Sequence, residues 1–149
     1  MRVALGSDHA GLDLKEMLAK RLIDLGHQVD DLGTHNGDRV DYPDYGAAVG
    51  RAVVAGEAEL GVCCCGTGIG IAIAANKVPG VRAAVVHDVS SARLAREHND
   101  ANVVCFGARL VGPVVAIDAL DEFLASAFAG GRHVARLEKI VALEAEARR

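Results

Sequence analysis

Three stretches limit the possible folds of this chain more than anything else in it: Leu60 to Cys65, Arg82 to Val86 and Asn102 to Phe106 are nearly continuous apolar runs. A strand with water on one face alternates apolar and polar residues. Unbroken short runs therefore belong to strands covered on both faces, the condition of a parallel sheet between layers of helices. Val3 to Gly6 and Gln28 to Leu32 add two further strands. Between the strands, apolar residues recur at helical spacing, as in Leu12, Met17, Leu18, Leu22, Ile23 and Leu25, then Ala47, Val49, Ala52, Val53 and Val54, then Leu94 with its neighbours. No Pro-rich or Ser-rich linker divides this alternation and no internal repeat is visible, which predicts one layered α/β domain over 1–149 with right-handed crossovers. Two helical stretches follow the fifth strand, Pro113 to Phe128 with Pro at its start, and Arg132 to about Ala147 after Gly130-Gly131. The last carries a stripe of Val134, Leu137, Ile140, Val141 and Leu143, able to pack on the parent domain or on another copy.

Composition narrows the function classes. With 149 residues, 51% apolar and 24% charged, the chain can bury a substantial core. A formal charge of −4 gives no electrostatic reason to bind a nucleic acid backbone or an anionic membrane, so neither is expected as a partner. The apolar run after Met1 is too short for a secretion signal, and no run approaches the roughly 18 apolar residues of a membrane span. A cytoplasmic protein is expected. Cys63, Cys64 and Cys65 are consecutive and Cys105 is distant, which is neither a disulfide framework nor a zinc spacing. Reduced thiols follow, with no metal and no cofactor anticipated.

In a doubly wound sheet, ligands collect at the carboxyl ends of the strands. Those ends read Gly6-Ser7-Asp8-His9-Ala10-Gly11, Cys65-Gly66-Thr67-Gly68-Ile69-Gly70, His87-Asp88 and Gly107-Ala108-Arg109. The second is the strongest signal, because three glycines at alternate positions lead from a strand into the helical run Ile71-Ala72-Ile73-Ala74-Ala75. Glycines admit a ligand close to the backbone, and free N–H groups with the positive end of a helix dipole stabilise an anion, phosphate or oxyanion equally. The dinucleotide fingerprint fails at Ile71, and Gly6 to Gly11 lacks the Lys-Ser/Thr of a P-loop.

Each polar candidate has a plain structural reading beside the chemical one. Cys65 at the loop mouth is placed as base or nucleophile, yet a strand cysteine is commonly a small buried hydrophobe, the reading kept for Cys63, Cys64 and Cys105. Asp8 and His9 either orient a hydroxyl and bind an anion, or Asp8 caps the next helix with an exposed His beside it. Tyr42 and Tyr45 flank Pro43 in a loop where an aromatic can stack on a sugar, although Pro in a first helical turn is ordinary. His98 and Asn99 read as a dipole-favoured His and a C-cap Asn. Arg132 and Arg136 lie one turn apart, where like charges repel unless an anion such as phosphate sits between them. Arg outnumbers Lys twelve to four, however, and Glu138 also relieves the repulsion.

Together, Gly6 to Gly11, Asp41-Tyr42-Pro43, Cys65 to Gly70, Ala74-Ala75-Asn76-Lys77, Arg96 to Asn102 and Gly130-Gly131-Arg132-His133 resemble the type B ribose-5-phosphate isomerases, a family that includes the galactose-6-phosphate isomerase subunits. The likeness runs over essentially the whole chain. It implies a Rossmann-like three-layer sandwich with a five-stranded parallel sheet and an extra C-terminal helix, 131–147, used in phosphate binding or dimer contact. It also implies aldose–ketose isomerisation of ribose 5-phosphate and ribulose 5-phosphate, of the pentose phosphate pathway, without metal or nucleotide. By the resemblance Cys65 is the base between C1 and C2, and Gly66, Gly68, Ile69 and Gly70 form the loop that meets the enediolate. Thr67 and His98 assist opening of the sugar ring, Asp8 and Tyr42 lie along the sugar with Asn99, and His9, Arg109, Arg132 and Arg136 clamp the phosphate. Part of the family has Ser at the Cys65 position and Glu at a position matching Ile69 to Ile71. This chain has no acid there and looks like the thiol subtype.

One expectation follows from topology alone. The fourth helix starts at the carboxyl end of its strand and runs back, so His98 and Asn99 fall at the opposite end of the sheet from Cys65. A catalytic His98 would therefore complete the site of a neighbour across a two-fold axis, in a homodimer or a tetramer; the side on which Arg132 and Arg136 act is left open. Other sugar phosphates, namely allose 6-phosphate, galactose 6-phosphate or a tetrulose phosphate, remain alternative substrates, with 34–40 and 87–91 as stretches that set pocket length. A non-catalytic sugar-phosphate-binding module is the alternative of a different class.

Overall fold

A computed structural model describes residues 1–148. The five strands are β1 (Arg2–Ser7), β2 (Gln28–Asp31), β3 (Leu60–Cys65), β4 (Ala83–Val85) and β5 (Val103–Gly107). The helices are α1 (Leu12–Asp24), α2 (Tyr42–Val54), α3 (Ile69–Ala75), α4 (Val89–Asn99), α5 (Pro113–Ala125) and α6 (Val134–Ala147), the last preceded by a 3₁₀ turn at Gly131–His133. All strand pairs are parallel, in the order β2-β1-β3-β5-β4. The layered α/β expectation holds, and the order reverses between β1 and β3, the place where a doubly wound sheet opens a crevice.

Side-chain alternation along β3 separates the two cores. Cys64 joins Val3, Leu5, Leu18, Phe106 and Leu120 beneath α1, α4 and α5, whereas Cys63, Cys65 and Cys105 join Val49, Ile71 and Ala75 beneath α2 and α3. All four cysteines are buried and free. The second face carries only α2 and α3, and the edge strand β4 is only half-buried. No side chain of α6 is buried, and Ile140, Val141 and Leu143 are exposed, as are Ile69 and Ile73 of α3.

Five helix boundaries differ from the sequence reading, the first being that α2 begins at Tyr42, so Tyr42, Pro43 and Tyr45 lie in the helix and not in a loop before it. Helix α5 stops at Ala125 rather than Phe128, because Ser126 turns extended and the chain crosses to α4, where the Ala129 N–H donates to Glu97 O at 3.0 Å. The cap of α4 is Asp100 in the left-handed region (φ 43°), not Asn99, which stays helical. A short acid tolerates that conformation, and its carboxylate is held by Arg82 at 3.0 Å and Arg96 at 3.2 Å. The C-terminal helix begins only after the 3₁₀ turn, so Arg132 and Arg136 do not share one α-helix. Helix α3 begins at Ile69, two residues before the expected Ile71, which places Ile69 and Gly70 in its first turn.

Candidate active site

The carboxyl ends of β1, β3 and β5 converge on the glycine loop. Gly68 adopts φ +76°, and a Cβ there would lie 2.8 Å from the Phe106 carbonyl carbon and 2.9 Å from the Gly107 nitrogen. Only glycine lets the loop lie flat on the end of β5. This posture brings the Gly68 N–H to 3.1 Å from the Cys65 Sγ, a donor aimed at the sulfur of a buried thiol. The exposed Thr67 accepts the Ile69 N–H at Oγ1, 3.2 Å away, and keeps its hydroxyl proton free to donate. Among the described residues, the N–H groups of Gly66, Thr67 and Gly70 donate to no protein acceptor. Three unpaired donors beside a thiol form a receptor for an oxyanion.

Around this loop stand the other candidates from the same end of the sheet. The Tyr42 ring lies across Gly70, where a Cβ would come within 2.6 Å of it. The Arg109 guanidinium lies over Gly66, and its backbone N–H donates to Gly66 O at 3.0 Å. Arg109 is exposed and has no ion pair among the described residues. Asp8 is buried and accepts the N–H groups of Ala10 and Gly11 at 3.0 Å each, so its turn-forming role is real and one oxygen is occupied by it. His9 accepts the Val40 N–H at Nδ1, 3.3 Å, which leaves Nε2 as the donor.

His98, Asn99, Arg132 and Arg136 are not there. Arg82, just ahead of β4, donates from Nε to Asn99 O at 3.1 Å and Asp100 O at 2.9 Å, which fixes the last turn of α4 at the amino end of the sheet. The 3₁₀ turn comes to the same end, because His133 stacks on His98 with ring centroids 4.3 Å apart and planes 18° apart. Arg132 and Arg136 are exposed beside this stack, and neither pairs with Glu138. The side left open by the sequence is thus the amino end. One subunit carries two polar groups at opposite ends of its sheet, a thiol with its donors and a pair of imidazoles with arginines.

Two contributors were not singled out from sequence. His133 is buried, and that burial first, then His98, Arg132 and Arg136, keeps its imidazole below the ordinary titration range. Its only signal was membership of Gly130-Gly131-Arg132-His133. Lys15, fully buried in α1, donates to Asp31 at 2.5 Å and to Thr34 O at 2.7 Å. It ties down the start of the segment whose Val40 meets His9. The thiols of Cys64 and Cys105 are pushed well up, Cys64 chiefly by burial and Cys105 by its hydrogen bond with Cys63 and then by burial. Neither is placed to act as a base near neutrality.

The ribose/galactose isomerase family model matches residues 3–140. Over 143 residues the chain is 46% identical to ribose-5-phosphate isomerase B of Escherichia coli, covering 96% of each. It is 44% identical over 124 residues to a galactose-6-phosphate isomerase subunit of Clostridium acetobutylicum, covering 83% of this chain and 72% of that one. Among solved structures, ribose-5-phosphate isomerase B of Clostridium thermocellum superposes with a TM-score of 0.98 at 49% identity over 99% of both chains. The Mycoplasma genitalium enzyme with bound ribulose-5-phosphate gives 0.93 at 41% identity over 97% of both.

Proposed function

Because the chain belongs to the ribose/galactose isomerase family, we propose that it interconverts ribose 5-phosphate and ribulose 5-phosphate with Cys65 as the base. The observation that carries this reading is the thiol of Cys65 under the Gly68 N–H, beside three unpaired backbone donors at the sheet's reversal point.

The cyclic aldose must first open. Thr67 and a His98 supplied by a second subunit move one proton from the anomeric hydroxyl to the ring oxygen, so the C1–O4 bond breaks and the C1 carbonyl forms. The Cys65 thiolate then takes the proton from C2. The electron pair forms the C1–C2 double bond, and negative charge develops on the C1 oxygen, where the loop N–H groups meet it. Donors fixed in advance at such a point lower the barrier most. Return of the proton from Cys65 to C1, with transfer of the hydroxyl proton from O2 to O1, yields the ketose. Tyr42 and Asp8 lie along the sugar, while Nε2 of His9 and Arg109 face the phosphate from the Cys65 side.

A homodimer is the assembly this requires. Two incomplete groups at opposite ends of one sheet become two whole sites when two copies meet about a two-fold axis, each giving His98, Asn99, Arg132 and Arg136 to the other. The exposed Ile69 and Ile73 of α3 and Ile140, Val141 and Leu143 of α6 supply apolar surface for that contact. A charge of −4 suits a small anionic sugar held by local arginines better than nucleic acid.

Proton NMR of ribose 5-phosphate in deuterated water tests the function. Wild type should exchange the C2 proton and produce ribulose 5-phosphate, and Cys65→Ala should do neither. If wild type does neither, allose, galactose and tetrulose phosphates are next, since one relative is a galactose-6-phosphate isomerase subunit. Silence with all of these would leave a sugar-phosphate-binding module.

A further inference from the structure

We propose that His133 is a positioning residue for ring opening, its buried ring fixing the plane in which the stacked His98 imidazole faces the sugar of the neighbouring subunit. This rests on the reading of His98 as a ring-opening group and extends it to a residue with no role so far.

His133 is buried, and its ring stacks on that of His98. Burial holds its titration down, and the stacked ring of His98 on α4 and the guanidinium groups of Arg132 on its own turn and Arg136 on α6 add to that. Glu97, the acid beside His98 on α4, is paired with Arg93 at 2.9 Å. A buried imidazole among cations stays neutral, and a neutral aromatic face is a good neighbour for a second imidazole that gains and loses a proton. The backbone on both sides of the stack is held. Ala129 N–H donates to Glu97 O and His133 N–H donates to Gly130 O at 3.1 Å, while Arg82 grips the carbonyls after His98. With both backbones held, the stack itself sets how the two rings lie against each other.

The substrates permit a test that ordinary loss of structure does not mimic. Ribose 5-phosphate is cyclic and has to be opened. Ribulose 5-phosphate has its C5 oxygen esterified, cannot close a furanose ring and enters proton transfer directly. His133→Ala should lower kcat for ribose 5-phosphate by about tenfold to a hundredfold, the effect of a misplaced catalytic group. Its KM should be unchanged, and exchange at C1 of ribulose 5-phosphate should be retained. His133→Phe keeps a planar ring and should restore most of the loss. His133→Gln keeps bulk without a ring and should not, which preserves the test if the Ala variant does not fold. Equal loss with both substrates, a rise in KM alone, or no advantage of Phe over Gln would overturn the proposal. His98→Ala is measured alongside. If it spares ribulose exchange and stops ribose opening while His133→Ala leaves both at wild-type rates, only His133 is misassigned; if it spares both, the reading of His98 itself fails.

Discussion

Replacing Gly68 by Ala probes the geometry on which the chemistry depends. Gly68 stands at φ +76°, where an L side chain costs about 1–2 kcal/mol. Its new Cβ would also sit 2.8 Å from the Phe106 carbonyl carbon and 2.9 Å from the Gly107 nitrogen, closer than real contacts. Those atoms belong to β5, which is buried along its length and paired with β3 up to Cys65. The strand therefore does not yield and the loop lifts, carrying the Gly68 N–H away from its 3.1 Å contact with the Cys65 sulfur. The neighbouring N–H groups of Gly66, Thr67 and Gly70 shift with the loop, and displacing one such donor of a preorganised oxyanion receptor lowers kcat by about 10² to 10³. The strain alone lowers Tm by only about 2–8 °C for a chain of this size. Steady-state kcat and KM for ribose 5-phosphate, measured with thermal unfolding of the same samples, separate the two effects. Gly112→Ala is the control, because a Cβ there meets nothing within 4 Å and its φ is −67°. A Gly68→Ala enzyme that folds and keeps wild-type kcat would refute the reasoning.

Arg109→Ala and Arg136→Ala should each raise KM for ribose 5-phosphate by about tenfold to a hundredfold, the worth of a charge-assisted hydrogen bond to phosphate, with a smaller effect on kcat. Inorganic phosphate, assayed as a competitive inhibitor, should weaken in parallel; unchanged inhibition would remove that arginine from the clamp. Stability should also depend on pH through His133. Burial and its cationic neighbours keep it neutral in the fold, whereas the unfolded chain takes up the proton at the ordinary imidazole value. Its contribution is therefore complete above about pH 6.5 and is lost as pH falls below that value. Denaturant midpoints of His133→Phe should fall less steeply below that pH than those of wild type, and identical slopes would contradict this.

How much could be read from the sequence follows from which interactions are local. The central strands β3 and β5 were legible because a strand covered on both faces must be apolar throughout, and the separation of Cys64 from Cys63 and Cys65 follows from period-two alternation. The placing of His98 and Asn99 away from Cys65 was legible as well, since strand direction dictates where a crossover helix ends. Long-range contacts were not. Asp100 replaces Asn99 as the cap because Arg82 and Arg96, one of them outside the helix, grip its carboxylate. The early stop of α5 depends on Glu97 of another helix accepting the Ala129 N–H. Lys15 reads as a solvated residue until Asp31 and Thr34 are brought over it. His133 gave no periodic or spacing signal, because a stack on a residue 35 positions away exists only once the 3₁₀ turn has folded back on α4.

The division of the site between subunits is open to one direct measurement. Cys65→Ala and His98→Ala homodimers, each inactive alone, are mixed, unfolded and refolded together. Random pairing makes about half of the dimers mixed, and in each of these one site keeps both an intact Cys65 and an intact His98, the other neither. A shared site therefore predicts recovery of about a quarter of wild-type activity. No recovery, with mixed dimers verified by mass, would contradict a site in which Cys65 and His98 come from different chains.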